Sequence, residues 1–162
     1  MALLRLMAVI GLAACGRAGA QPAQPVVSSG LRPPAGWQTL PALGQAVAAA
    51  AKAPGVTLDG SEAWGETAIG CYGLWVKLHG AGASSAEVLK GLDVARLALR
   101  DVSKPEAGDD GLIALTFERA PYSGRLRVRI AAGEITALAC FANDRDPASC
   151  EQPCTTLLAG LP

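Results

Sequence analysis

Four cysteines, Cys71, Cys140, Cys150 and Cys154, restrict how this chain can fold more than any other residues in it. Three of them follow closely on a run of apolar alternation, where they can staple a C-terminal tail to a sheet. Such a set can hold zinc or form two bridges. Structural zinc sites are built from tight paired knuckles, and the C-x9-C-x3-C spacing here has none. There is also no C-x-x-C to supply a low-pKa attacking thiol. Two disulfides are therefore expected, with no metal and no cofactor. Cys150 and Cys154 are too close along one helical turn to bond each other, so each is expected to pair with Cys71 or Cys140, in either combination. Bridges imply an oxidising compartment, because cytosolic thiols stay reduced.

The N-terminus agrees with export. Met1 to Arg5 carries one basic residue, and Leu6 to Ala14 is an apolar run of nine residues. That run is too short to cross a hydrocarbon core of about 30 Å as a helix, so it is a signal and not a span. Two cleavage sites compete within residues 1–20. Leu12-Ala13-Ala14-Cys15 resembles the lipobox of bacterial lipoprotein precursors, which implies cleavage before Cys15 and a lipid on that residue. Ala18-Gly19-Ala20 is an A-x-A site whose use would release a soluble protein beginning at Gln21. The lipobox is favoured because it abuts the apolar run. It also consumes the fifth cysteine and leaves an even set, although discarding Cys15 with the signal gives the same count. Residues 21–38, with four prolines between Gln21 and Pro34, read as an extended tether holding a single domain, residues 39–162, off the bilayer.

Within that domain the period of the apolar residues changes several times. Leu40, Leu43, Val47 and Ala50 recur at helical spacing, and Pro54-Gly55 ends the helix. Val56 to Glu66 and Cys71 to His79 read as strands. Ser84 to Glu87 is a capping box opening a short helix, and Ala95 to Ser103 reads as another strand. Three successive antiparallel strands follow, carried by Ile113, Leu115 and Phe117, then Leu126, Val128 and Ile130, then Ile135 to Phe141. Pro121 to Gly124 and Ala131 to Glu134 are the turns between them, and a last helix is expected around Pro153 to Gly160. Trp75 and Leu138 point away from the main apolar faces. The fold class expected is α+β, an antiparallel sheet of about five to six strands with helices on both faces. This order of elements, with the closing strand-turn-helix from Ala139 to Leu161, resembles the PsbP/Mog1-like α/β/α sandwich over about Thr39 to Leu161. The resemblance implies a partner-binding, non-enzymatic role and carries over no site residue.

Chemistry is sparsely represented. His79 is the only histidine and sits at a strand end, and no G-x-S-x-G elbow is present. Asp109-Asp110-Gly111 and Asn143 to Asp146 cluster oxygens without the spacing of a calcium loop, so ordinary turns explain them. Arg125, Arg127 and Arg129 form a basic row on one strand face, open to an acidic partner or paired with neighbours such as Glu118 and Glu134. Trp64 and Trp75 are candidates for a binding cleft or for core packing. Fourteen basic and fourteen acidic residues cancel, which leaves no electrostatic footprint for nucleic acid. The expectation is an exported envelope protein, held to the membrane by a lipid on Cys15, that serves as a non-catalytic interaction or assembly module for another envelope protein. The alternative is a soluble periplasmic carrier that takes a small molecule near Trp64 and Trp75.

Overall fold

The computed structural model describes residues 27–50, 56–80, 86, 88, 98–102 and 111–161. The chain runs β1 (Gln38–Thr39), α1 (Pro41–Ala50), β2 (Val56–Glu66), β3 (Cys71–Gly80), β4 (Ala98–Arg100), β5 (Gly111–Arg119), β6 (Tyr122–Ala131) and β7 (Glu134–Asn143). A 3-10 turn (Ala148–Cys150) then leads into α2 (Glu151–Ala159). The strands form one antiparallel seven-stranded sheet in the order β1-β2-β3-β7-β6-β5-β4. Two ribbons, β2-β3 and β5-β6-β7, are local meanders, and the long-range pairing of β3 with β7 joins them.

The alternation of the sequence explains why these segments are strands and which way they face. Leu74, Val76 and Leu78 of β3, Ile113, Leu115 and Phe117 of β5, and Leu126, Val128 and Ile130 of β6 lie on one face. With Leu43 and Val47 of α1 and with Val88 they make the larger core. At one end of this face Tyr72 stacks on Phe141, with ring centroids 5.4 Å apart. Burial raises the Tyr72 phenol above its ordinary value, Tyr122 adds to that rise, and Arg145 partly opposes it. The β6-β7 loop is two residues, Ala132 and Gly133, at φ 49° and 81°. Positive φ at both positions is the hairpin geometry whose twist matches that of the strands it joins. The β5-β6 turn sits earlier than expected, at a cis Ala120-Pro121 peptide, so Tyr122 to Gly124 already belong to β6.

The expected sandwich needs correction. The sheet has seven strands, not five or six, because Gln38-Thr39 adds a short edge strand on Gly65 and Trp64. At about 4.8 Å per strand, seven strands make a sheet roughly 29 Å across. The helices α1 and α2, of 10 and 9 residues, are about 15 Å long and 10 Å wide. Among the described residues these are the two full helices, with helical Val88 adding to the first face, so the fold is mostly sheet and not a clean α/β/α sandwich. Of the helix expected from Ser84, Ala86 and Val88 are helical and the rest lies outside the described residues, as do residues 95–97 and 103 of the strand around β4. No helix among the described residues is long and apolar enough to cross a membrane.

The tether needs correction too, since its second half is part of the domain. Residues 27–37 form a strap along the second face of the sheet. The Val27 amide donates to the Asp59 carbonyl at 3.0 Å. The Ser29 amide and hydroxyl both donate to the Glu62 carboxylate, at 3.0 and 2.6 Å. Leu31 packs into the second core and Trp37 is buried in it. The prolines of this stretch had suggested a segment with little to bury, but Leu31 and Trp37 find apolar cover on a face that only tertiary pairing creates.

Candidate functional site

The second face is where the residues singled out in the sequence converge. Its core contains Trp37, Trp64, Trp75, Leu138 and all four cysteines, closed by Leu157, Leu158 and Leu161. Cys71 bonds Cys150 and Cys140 bonds Cys154, with Cα separations of 5.5 and 5.4 Å. Cys150, at the end of the 3-10 turn, thus reaches β3, and Cys154 of α2 reaches the neighbouring β7. The cross-links fit an extracellular or periplasmic location. Close seating of the helix depends on Gly73, where an added Cβ would lie 2.6 Å from the Leu157 side chain and 3.0 Å from the Trp37 ring.

The basic row turns inward onto this helix. Arg125 donates to the Glu151 carbonyl at 3.0 Å and to the Thr155 hydroxyl at 2.9 Å. Arg127 donates to the Leu158 carbonyl at 3.0 Å and more weakly to that of Leu161 at 3.4 Å. The Glu151 carbonyl is at the start of α2, whereas Leu158 is in its last turn and Leu161 just past it, where the helix end carries partial negative charge. The Arg127 guanidinium there supplies a further donor and a complementary charge. Arg129, one step further along β6, is exposed and is also engaged within the chain. Replacing Arg127 by Met, which keeps the apolar stem, is expected to cost about 1.5–3 kcal/mol, the usual range for hydrogen bonds made by a charged group. The urea midpoint should fall with the slope unchanged.

Beside α2 lies an open groove of about 480 Å³, lined by Ser123, Gly124 and Arg125 of β6, by Pro147 and Ala148, and by Glu151. Cys140, Cys150 and Cys154 also line it, so both disulfides lie beside the groove. Trp64 and Trp75 are not in it. Each is 4% exposed and packed into the second core, which gives them the core role of the two weighed for them and leaves no tryptophan cleft. His79 stands at the opposite end of the sheet, half exposed, with Nδ1 2.7 Å from Asp59 Oδ1. The oxygens of the Asn143 to Asp146 turn are used locally. Asn143 accepts from the Arg145 amide, and the Asp146 carboxylate accepts from the Ser149 amide and hydroxyl at the start of the 3-10 turn. Asp109 and Asp110 lie outside the described residues, as does Cys15. Among the described residues no group of three or more metal-ligating side chains is gathered.

Two features of the site were missed by reading the sequence: the strap and the clasp of arginines on α2. The strap left one readable signal, Leu31 and Trp37 as isolated large apolar residues on either side of Pro33-Pro34. The clasp left none, because nothing local tells whether an arginine beside a strand meets water or a helix end. No protein-family model matches this chain, and no curated protein matches it.

Proposed function

We propose that this is an exported, lipid-anchored envelope protein whose disulfide-stapled domain is a non-catalytic interaction or assembly module for another envelope protein. The observation that carries this reading is one combination. An export signal ending in Leu12-Ala13-Ala14-Cys15 precedes a domain whose four other cysteines are all paired, which leaves Cys15 as the one thiol for a lipid. The residues that offered chemistry have structural employment. Arg125 and Arg127 hold α2, and Trp64 and Trp75 fill the core. A partner would meet the surface around the groove, which the two disulfides border.

The intact mass of the non-reduced protein from its native envelope tests this. A chain beginning at Cys15 with a lipid-sized increment, and lacking four hydrogens for its two bridges, is the expected result. A chain beginning at Gln21 without lipid would sink the anchored reading and leave a freely diffusing exported protein.

A further inference from the structure

We propose that the groove beside α2 takes an extended segment of the partner, one that sets a carboxylate against Arg125 and a basic side chain against Glu151; this rests on the reading of the domain as an interaction module. A guanidinium carries its N–H donors in a planar fork. In Arg125 a single nitrogen, Nη2, makes both bonds that hold the side chain on α2, to the Glu151 carbonyl and the Thr155 hydroxyl. Those acceptors are neutral. They fix the guanidinium in place and leave its charge uncompensated, with the donors of Nε and Nη1 to spare.

The acids nearby do not cancel that charge. Glu118, opposite Ser123 on the neighbouring strand, is paired with Arg100 at 3.0 Å. Glu151 lends Arg125 its carbonyl and not its carboxylate, and among the described residues that carboxylate is in no ion pair. Arg127, the next guanidinium along the same face of β6, is spent on the far end of α2. The groove therefore presents one cation on the sheet and one anion on the helix beside it, and the domain pairs neither with the other.

The space suits a passing chain. A volume of about 480 Å³ lies within the roughly 300–1,000 Å³ of ligand sites, and the groove is open, so a chain can run through it. Around the two charges the lining includes the small or apolar residues Gly124, Ala142, Pro147 and Ala148. In an extended segment, side chains two positions apart point the same way and stand about 6.6–6.8 Å from each other. Arg125 Nη2 is 3.0 Å from the Glu151 carbonyl oxygen, and the carboxylate is within a side-chain length of that oxygen, so one such pair can meet both charges. The free edge of a guanidinium matches a carboxylate through two parallel hydrogen bonds. Glu151 adds discrimination, because a segment acidic throughout would be repelled.

The test uses the full exported chain with both bridges formed, isotopically labelled, and two capped probes, acetyl-Ala-Glu-Ala-Lys-Ala-amide and acetyl-Ala-Lys-Ala-Glu-Ala-amide, which present the charges in either direction. One of them should bind saturably, shifting the amide signals of Ser123, Ala148 and Glu151 and leaving His79 and Gly133, at the other end of the sheet, unmoved. Gln for Glu in the peptide should weaken binding about fivefold, the upper end for an exposed ion pair, and Gln for Lys should weaken it less. Glu151→Gln keeps the carbonyl that Arg125 uses, so it should erase the preference for Lys and retain that for Glu. Ala148→Trp, at an exposed position on the wall, should abolish the shifts without lowering the urea midpoint. Binding indifferent to Glu, shifts that persist in Ala148→Trp, or no shift with either probe would overturn the groove as the docking site and leave the interaction-module reading standing. That reading falls instead if the protein gently extracted from its envelope sediments as a single copy with nothing bound, and the proposed occupant falls with it.

Discussion

Replacing Cys71 and Cys150 together by alanine is expected to lower stability by about 4–5 kcal/mol, the largest effect of any single cross-link in the chain. The bridge spans 79 residues, and in the chain-entropy model the stabilisation grows with the logarithm of the loop it closes. The Cys140–Cys154 bridge spans only 14 residues, and the same relation gives about 3 kcal/mol for it. Against a total stability of about 5–15 kcal/mol, loss of the longer bridge takes a large share. Thermal unfolding should show the midpoint falling by on the order of 10–20 °C for the Cys71/Cys150 double variant, and by less for the Cys140/Cys154 variant. Equal losses would mean that the bridges act through native packing and not through the unfolded chain. Both pairs are buried, so alanine is the better replacement than serine, which would add an unsatisfied hydroxyl.

Trp75→Ala is expected to cost about 3–5 kcal/mol, the usual range for emptying a large aromatic site in a packed core. Trp75 is 4% exposed, faces Leu138 across the β3-β7 pairing, and lies so close to Gly60 that a Cβ there would approach its ring at 2.9 Å. The Val27 carbonyl crowds the same glycine, so the strap lies over this contact. Truncation should therefore loosen the strap as well, and protease cleavage within residues 27–37 should rise along with the fall in urea midpoint. A tryptophan that served mainly as a wall for a ligand would behave differently, with a stability change within about 0.5 kcal/mol. The measurement thus separates the two roles that the sequence offered for this residue.

Much of the fold was legible because β-structure writes its burial into every second residue. β5, β6 and β7 and the Ala132-Gly133 hairpin could be read directly, since each strand pairs with the one next to it along the chain. The half-covered second face of β3 was legible too, in the change from Cys71 and Trp75 to Lys77 and His79 along one side of the strand. The edge strand at Gln38-Thr39 was not, because two residues carry no period.

By itself the sequence determined the antiparallel strands and a cysteine set that had to bridge the C-terminal segment to the rest of the chain. Tertiary structure alone decided which cysteines met, whether the arginine row faced water, and where the tether ended. All three depend on the pairing of β3 with β7, which joins segments about sixty residues apart and sets Gly73 beside Cys140. That pairing forms the surface on which α2 is stapled, so Arg125 and Arg127 find helix carbonyls where a lone hairpin would offer them solvent. It also forms the apolar trough that holds Leu31 and Trp37. Local pattern records which side of a strand is apolar; it holds no information about what, from far along the chain, arrives to cover it.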